Sequence, residues 1–343
     1  MTASTFNPIE LALTSAAVAG DAGGLYRMAA EMMEGGVSFD SLLFDYLIPI
    51  AGSVGKRWEQ GDYLVAEEHA ATAAIETVIS LLSGTLDQPP GAPLVVVATA
   101  EGDDHSLPAR AAASHLLYSG YRTTFLGANV PGADLGEFLV TEPPSAVVLS
   151  CAMTTHLMGA RSVIKAAHEV GVPVVVGGKA FGPAGIWAGS VGADAWVGSL
   201  RQTSAVVAEW VRTTPTALNL TSELPGELSS LVRVRAAVIA DAGAALMADT
   251  DGQVPTRLED EIDLLLSAIE GALLTGDDRV VTDMLAWQAS SLAAHGLDGS
   301  IVVAALQKAL NGSSTQGGAL LSQAWQALQP DIGHPDDRLG TNS

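Results

Sequence analysis

The sequence predicts an α/β plus all-α protein: an N-terminal four-helix bundle, a parallel-sheet domain with helices on its faces, and a C-terminal helical domain. Three observations predict it. In the middle of the chain, short β-branched apolar runs alternate with helical stretches, the order expected of repeated βαβ units. Before them, apolar residues recur at helical spacing and are interrupted at Gly, Asp and Ser. After residue 226 the chain is rich in Ala and Leu and nearly free of β-branched alternation.

Taken in order, Pro8–Gly20, Gly24–Glu34, Phe39–Trp58 and Leu64–Leu86 have the apolar spacing of helices and make a bundle over residues 1–87. The Pro-rich stretch Asp87–Pro93 is a stiff linker. The α/β domain spans 94–213. Its runs Leu94–Ala98, Ala146–Leu149 and Pro173–Val176 are apolar enough for strands buried on both faces, and Ala109–Tyr118 and His156–Val170 read as the helices between them. A second linker, Thr214–Pro225, leads into helices at Leu228–Ala248, Leu258–Leu274, Arg279–His295, Ser300–Leu310 and near Gly318–Leu328, a domain over 226–330. A thin repeat, Gly20-Asp21 with Met28 against Gly276-Asp277 with Met284, links the two helical regions.

Composition excludes several functions. The net charge is −22, with 16 Lys+Arg against 38 Asp+Glu and no basic stripe, so nucleic acid is repelled and is not an expected partner. No apolar run is long enough to span a membrane, and Met1–Asn7 lacks the basic start of a signal peptide; a cytoplasmic protein is expected. The single cysteine, Cys151, permits no internal disulfide and reads as a small buried residue.

The chemistry lies in a spaced set: Asp103-x-His105-x-x-Pro108, Ser150-x-Ala152-x-Thr154 and Gly177-Gly178. Each piece follows an expected strand, where open parallel sheets bind ligands. An imidazole at His105 can face a metal while Asp103 holds its other ring nitrogen. The set resembles the D-x-H-x-x-G…S-x-L…G-G signature of the cobalamin-binding fold, with Pro108 and Ala152 in place of the glycine and leucine. The resemblance implies a flavodoxin-like/Rossmann parallel sheet and His105 as lower cobalt ligand. It also implies a slot for the displaced nucleotide tail, in which Ser150 and Thr154 offer hydroxyls, Ala152 widens the space, and Gly177 and Gly178 let backbone approach the ligand. Leu126–Pro131 resembles the loop after the second strand in cobalamin-binding light sensors.

Upstream, Trp58 and the pair Glu68-His69 reproduce the W-x9-E-H pattern of the adenosylcobalamin-dependent photoreceptor transcription regulators, and Val65 occupies that family's valine position. The resemblance implies that these residues cap the adenosyl group. An indole offers stacking area, and a carboxylate can accept the ribose hydroxyls. Glu59 stands directly after the tryptophan, where those regulators carry a histidine that binds cobalt after illumination; capture of cobalt through that position is not available to this chain. No helix-turn-helix pattern stands ahead of the bundle in this sequence, so the DNA-binding module of those regulators is not expected. Helical domain order resembles that of the photocobilins, which implies a bilin such as biliverdin in the C-terminal domain. On chemistry, Arg233, Arg235 and Arg279 are candidates to pair with its propionates, and Trp287 and His295 to stack on it or hydrogen-bond to it.

The expected function is therefore a light sensor that is not itself an enzyme. Adenosylcobalamin and a bilin would be its chromophores, and it would signal to a separate protein or enzyme, or through its own homo-oligomeric state. A corrinoid carrier for methyl transfer, or a haem- or redox-sensing anti-repressor on the same fold, are the alternatives.

Overall fold

The computed structural model describes residues 8–218, 220, 223–249, 256–311 and 313–328. The chain divides into two compact units, Met1–Leu220 and Thr221–Ser343.

The first unit opens on α1 (Pro8–Val18) and α2 (Ala22–Glu34), where the Asp21 carboxylate caps α2 by accepting the Gly24 N–H at 2.8 Å. The expected third helix is not uniform. A short α3 (Phe39–Ser41) passes through a π-helical turn, Leu42–Leu47, into α4 (Ile48–Glu59). The wider turn keeps Leu42, Leu43 and Leu47 in the core while Phe44 and Asp45 point to other partners. Helix α5 (Val65–Ser83) completes the bundle, whose core gathers Leu13, Leu25, Phe39, Ile75 and Ile79.

A five-stranded parallel sheet follows, in the order β2-β1-β3-β4-β5, built from β1 (Leu94–Thr99), β2 (Arg122–Phe125), β3 (Ala146–Ser150), β4 (Val174–Gly177) and β5 (Ala195–Val197). Helices α6 (Ser106–Tyr118), α7 (Gly132–Thr141), α8 (Leu157–Glu169), α9 (Ala188–Val191) and α10 (Thr203–Thr213) connect and flank the strands. The three strands expected from apolar runs are the three central ones, whose residues are all buried. The two edge strands are half-covered, and neither carries a long apolar run: Arg122-Thr-Thr-Phe125 is largely polar and Ala195-Trp-Val197 is three residues long.

Helix α6 serves two cores. Leu107 and Ala111 belong to the bundle's apolar cluster, whereas Ala109, Ala112, Ala113 and Leu116 pack with Val95, Val97, Val148 and Val175 of the sheet. The same helix carries the buried His115. Although no Ser/His/Asp set is apparent along the sequence, the fold assembles one: His115 Nδ1 lies 2.9 Å from Asp40 Oδ1 on α3 and its Nε2 lies 3.0 Å from Ser204 Oγ on α10. Phe44 meets the imidazole edge-on, and Arg201 lies over Phe44 and pairs with Asp45 at 2.6 Å. The His115 side chain is only 5 % exposed, so this set is a strut between bundle and sheet domain, closed to substrates. Just before β5, Asp194 meets His168 Nε2 at 2.7 Å and accepts the Val174 and Leu218 N–H groups. Burial pushes this carboxyl up, but the three partners outweigh it and hold it below the usual range.

The second unit contains α11 (Gly226–Asp249), α12 (Thr256–Thr275), α13 (Arg279–Ala294), α14 (Ser300–Leu310) and α15 (Thr315–Leu328). Leu231, Val238, Leu265, Ile269, Leu285 and Leu306 are among its buried apolar residues. Gln288 on α13 reaches both the main-chain oxygen and the carboxylate of the buried Glu261 on α12. No helix among the described residues is long and apolar enough to cross a membrane.

Candidate functional site

In a sheet of this order the chain leaves β1 toward β2 on one side and returns as β3 on the other, which opens a crevice beyond the carboxyl ends of β1 and β3. Thr99, Ser150 and Gly177 stand in register across β1, β3 and β4 at that edge. The loops that follow them carry the spaced set read from the sequence.

Asp103 is fully buried in the loop after β1. Its Oδ1 lies 2.7 Å from His105 Nδ1 and accepts the His105 N–H at 3.1 Å, and its Oδ2 accepts the Ala152 N–H from the loop after β3 at 2.6 Å. Burial pushes the Asp103 carboxyl up, but these hydrogen bonds outweigh it and hold the pKa below the usual value. The hydrogen bond to Asp103 raises the pKa of His105 against the opposing effect of burial, and the charge of Glu68 on α5 adds to the rise. His105 is the N-cap residue of α6, with 54 % of its side chain exposed. Because Nδ1 is committed to Asp103, Nε2 is the nitrogen left to meet a ligand. Pro108, which replaces the usual glycine, falls in the first turn of α6, where a helix needs no N–H donor.

The loop is clamped by residues that the sequence did not mark as a group. The buried Thr99 hydroxyl donates to the Asp103 carbonyl at 2.6 Å and accepts the Asn129 N–H at 2.7 Å. Asn129, at φ 51°, accepts the Gly102 N–H on its side-chain oxygen. The likeness of Leu126–Pro131 to a light-sensor loop was the only signal pointing there. Ser150 is buried at the strand end, and Ala152 and Thr154 are half-buried in the next loop. Gly178 has a reason inside the protein, distinct from ligand approach: its φ is +114°, and a Cβ there would stand 2.0 Å from the Cys151 carbonyl oxygen. Cys151 is fully buried, and burial drives its thiol pKa well up, so it is not a ready nucleophile.

Of the cap residues, Trp58 is half-buried in the last turn of α4, and Val65 and Glu68 occupy the first turn of α5. Val65 is 50 % exposed. Glu68 is held by His69 Nδ1 at 2.8 Å and by the Thr72 hydroxyl at 2.9 Å, which orients its carboxylate; the His69 ring is otherwise open to solvent. Ser106, next to His105, donates to Glu76 of α5 at 2.6 Å and ties the cap to the site loop.

In the second unit the candidate contacts are dispersed. Arg235 is spent on Glu270 and Asp263, each at 2.6 Å, and Arg279 on Asp277, so neither guanidinium is free for a further bidentate pairing. The exposed Arg233 donates to the Ser229 and Ser230 hydroxyls. Trp287 is half-buried on α13, and His295 Nδ1 meets the Ser291 carbonyl at the end of that helix.

Comparison with known proteins agrees with the geometry. A B12 binding domain profile matches residues 93–208, and a second B12 binding domain profile matches 9–83, so sheet domain and bundle are both covered. The chain is 31 % identical over 145 residues to the HTH-type transcriptional repressor CarH of Myxococcus xanthus, covering 40 % of this chain and 46 % of the repressor. It is 30 % identical over 152 residues to the dimethylamine corrinoid protein of Methanosarcina barkeri, covering 42 % of this chain and 70 % of that protein. The solved monomethylamine corrinoid protein of Methanosarcina barkeri shares the fold at a TM-score of 0.50 and 22 % identity, over 57 % of this chain and 95 % of its own. With the helical cap, the doubly wound sheet and a buried carboxylate orienting an open imidazole, the chain belongs to the B12-binding family and is a cobalamin-binding protein.

Proposed function

We propose that this protein is a light sensor whose chromophore is adenosylcobalamin. The observation that carries the reading is the cap. Val65 offers half-exposed apolar surface in the same turn as the oriented carboxylate of Glu68, whose charge acts on the His105 imidazole, and Trp58 brings a half-buried indole at the end of α4. A nucleoside matches those groups, with adenine stacking on indole and ribose hydroxyls donating to the carboxylate. A methyl group has nothing to offer either. The donor set below fits as well, since the Asp103 hydrogen bond leaves the basic edge of His105 facing outward.

When bound, adenosylcobalamin would supply a cobalt–carbon bond that light breaks. His105 would ligate the cobalt through Nε2, with Asp103 keeping its ring in one tautomer, and Ser150, Ala152 and Thr154 would line the slot for the nucleotide tail. Trp58, Val65 and Glu68 would hold the adenosyl group, and a bundle deprived of that contact would be free to shift. Glu59 cannot replace the lost contact as an imidazole would, and His69 is engaged by Glu68. The signal then passes to a separate protein or enzyme, or to the self-association of the chain. A second chromophore, biliverdin, would belong to the helical unit, with Arg233 on α11 and Trp287 and His295 on and beside α13 as its candidate contacts.

The carrier reading is favoured by the likeness to the dimethylamine corrinoid protein, and one experiment separates the two. Adenosylcobalamin, methylcobalamin and biliverdin are each titrated into the purified protein, and absorption is recorded in darkness and after illumination. Tighter binding of adenosylcobalamin than methylcobalamin, by about tenfold to a hundredfold, is expected from a charged hydrogen bond worth roughly 1.5–3 kcal/mol. Glu68→Ala should abolish that preference, and light should change the spectrum of the adenosylcobalamin complex irreversibly in the absence of fresh ligand. Equal binding of the two cobalamins with no response to light would favour a methyl carrier.

A further inference from the structure

The Asp103 carboxylate is approached by two imidazoles. Besides His105, His156 brings its Nδ1 to 3.7 Å from Asp103 Oδ1, with only 19 % of its side chain exposed. It sits at the end of a single 3-10 turn, Thr154–His156, in the same loop that donates the Ala152 N–H to Asp103. Two glycines shape this approach. A Cβ at Gly102, whose φ is +87°, would stand 3.3 Å from the His156 ring, and one at Gly159 would stand 1.8 Å from the Glu101 carbonyl oxygen. The loop after β1 and the start of α8 are thus brought together closely enough for a ring on one to face the buried carboxylate on the other.

We propose that His156 is a positioning residue for the lower ligand: by facing Asp103 from the turn that caps α8 it fixes the rotamer of the carboxylate, and through it the direction of His105 Nε2. The physical need is plain. Oδ1 of Asp103 carries both His105 contacts, and Oδ2 accepts the Ala152 N–H. Rotation about the carboxylate's own bond would swing the His105 ring, which is held through Oδ1, away from its present direction. The ring nitrogen of His156 opposes that rotation by giving Oδ1 a polar neighbour, which an apolar wall of the same volume would not. Groups that only orient a metal ligand commonly change affinity by about 10–100-fold when removed. The inference rests on the reading that cobalamin is held through His105.

The test uses the full chain reconstituted with adenosylcobalamin in darkness. His156→Leu fills the volume of the ring without its nitrogens, His156→Ala removes the volume as well, and His156→Asn restores an amide at the place of the ring nitrogen. Affinity is expected to fall about tenfold in the Leu and Ala variants, and part of the bound cobalamin should show the absorption of a complex without a nitrogen lower ligand. The Asn variant should recover the wild-type spectrum in most of the bound fraction. A wild-type spectrum and affinity in His156→Leu would overturn the proposal, as would an Asn variant no better than Leu. If His156→Ala fails to fold, the Leu and Asn pair carries the comparison alone. Proton NMR of the ligand-free protein gives a second readout. The His105 Nδ1–H resonance, downfield in wild type because of its carboxylate partner, should broaden or move in His156→Leu, and an unchanged resonance counts against the proposal. Failure of the underlying reading looks different: the wild-type complex would itself lack a nitrogen lower ligand, or His105→Ala would leave its spectrum unaltered.

Discussion

Replacing His105 with alanine is expected to weaken cobalamin binding about a hundredfold or more, because even the loss of a group that merely orients a metal ligand costs roughly 10–100-fold. The bound fraction should lose the absorption of a complex with a nitrogen lower ligand. The fold should survive. His105 is more than half-exposed and makes no side-chain cap to α6, and Asp103 retains the Ala152 N–H and the main-chain N–H of residue 105. Calorimetric titration of the variant, with circular dichroism as the control for folding, checks the outcome. Wild-type affinity with an unaltered spectrum would remove His105 from the cobalt site.

Gly178→Ala is expected to destabilise the protein by about 3 kcal/mol, combining a backbone conformation that costs roughly 1–3 kcal/mol for a residue with a side chain and an overpacking term of similar size. The new methyl group would lie 2.0 Å from the carbonyl oxygen of Cys151, a backbone atom that cannot simply rotate away. Gly177→Ala is the matched control, since its Cβ would meet the Val197 Cγ2 at 3.3 Å, a contact that a side chain can relieve. Urea denaturation of the two variants should give a clearly lower midpoint for position 178. Equal midpoints would mean that the loops after β3 and β4 can separate at little cost, and the glycine would then be free to serve the ligand instead.

The parts of this fold that were legible in the sequence are those where burial acts on both sides of an element. The runs at β1, β3 and β4 announce central strands because nothing polar is tolerated on either face. Edge strands such as Arg122–Phe125 alternate nothing and bury little, and they leave almost no trace in composition. The π-helical turn at Leu42–Leu47 escaped because its apolar spacing also suits an ordinary helix, whereas the contacts it serves, Phe44 with His115 and Asp45 with Arg201, lie far along the chain. At the site, Asp103 and His105 were readable because two residues apart on one loop is enough to join them. Asn129 and His156 were not, since each reaches that loop from beyond another strand, and no local spacing records such a meeting; Thr99 stands only four residues before Asp103, but nothing in a strand-end threonine announces that its hydroxyl holds the loop. The Asp40–His115–Ser204 strut is the extreme case, joining three helices far apart in the chain. In the second unit, charge counting singled out the arginines but could not tell that Arg235 already had Glu270 and Asp263 as partners.

The double allegiance of α6 has a consequence for how this molecule can be taken apart. A fragment beginning at β1 would carry Leu107 and Ala111 to the surface with nothing to cover them, and a fragment ending at α5 would have a hole in its apolar interior where those two side chains belong. Trimming either piece therefore leaves both halves damaged, and the boundary at the Pro-rich linker is a seam in the chain without being a seam in the folding reaction. Unfolding of the first 220 residues should accordingly proceed as one cooperative event. Inheritance follows the same logic: a gene fusion that borrowed the sheet without its bundle would acquire a ligand site standing on a helix stripped of half its support.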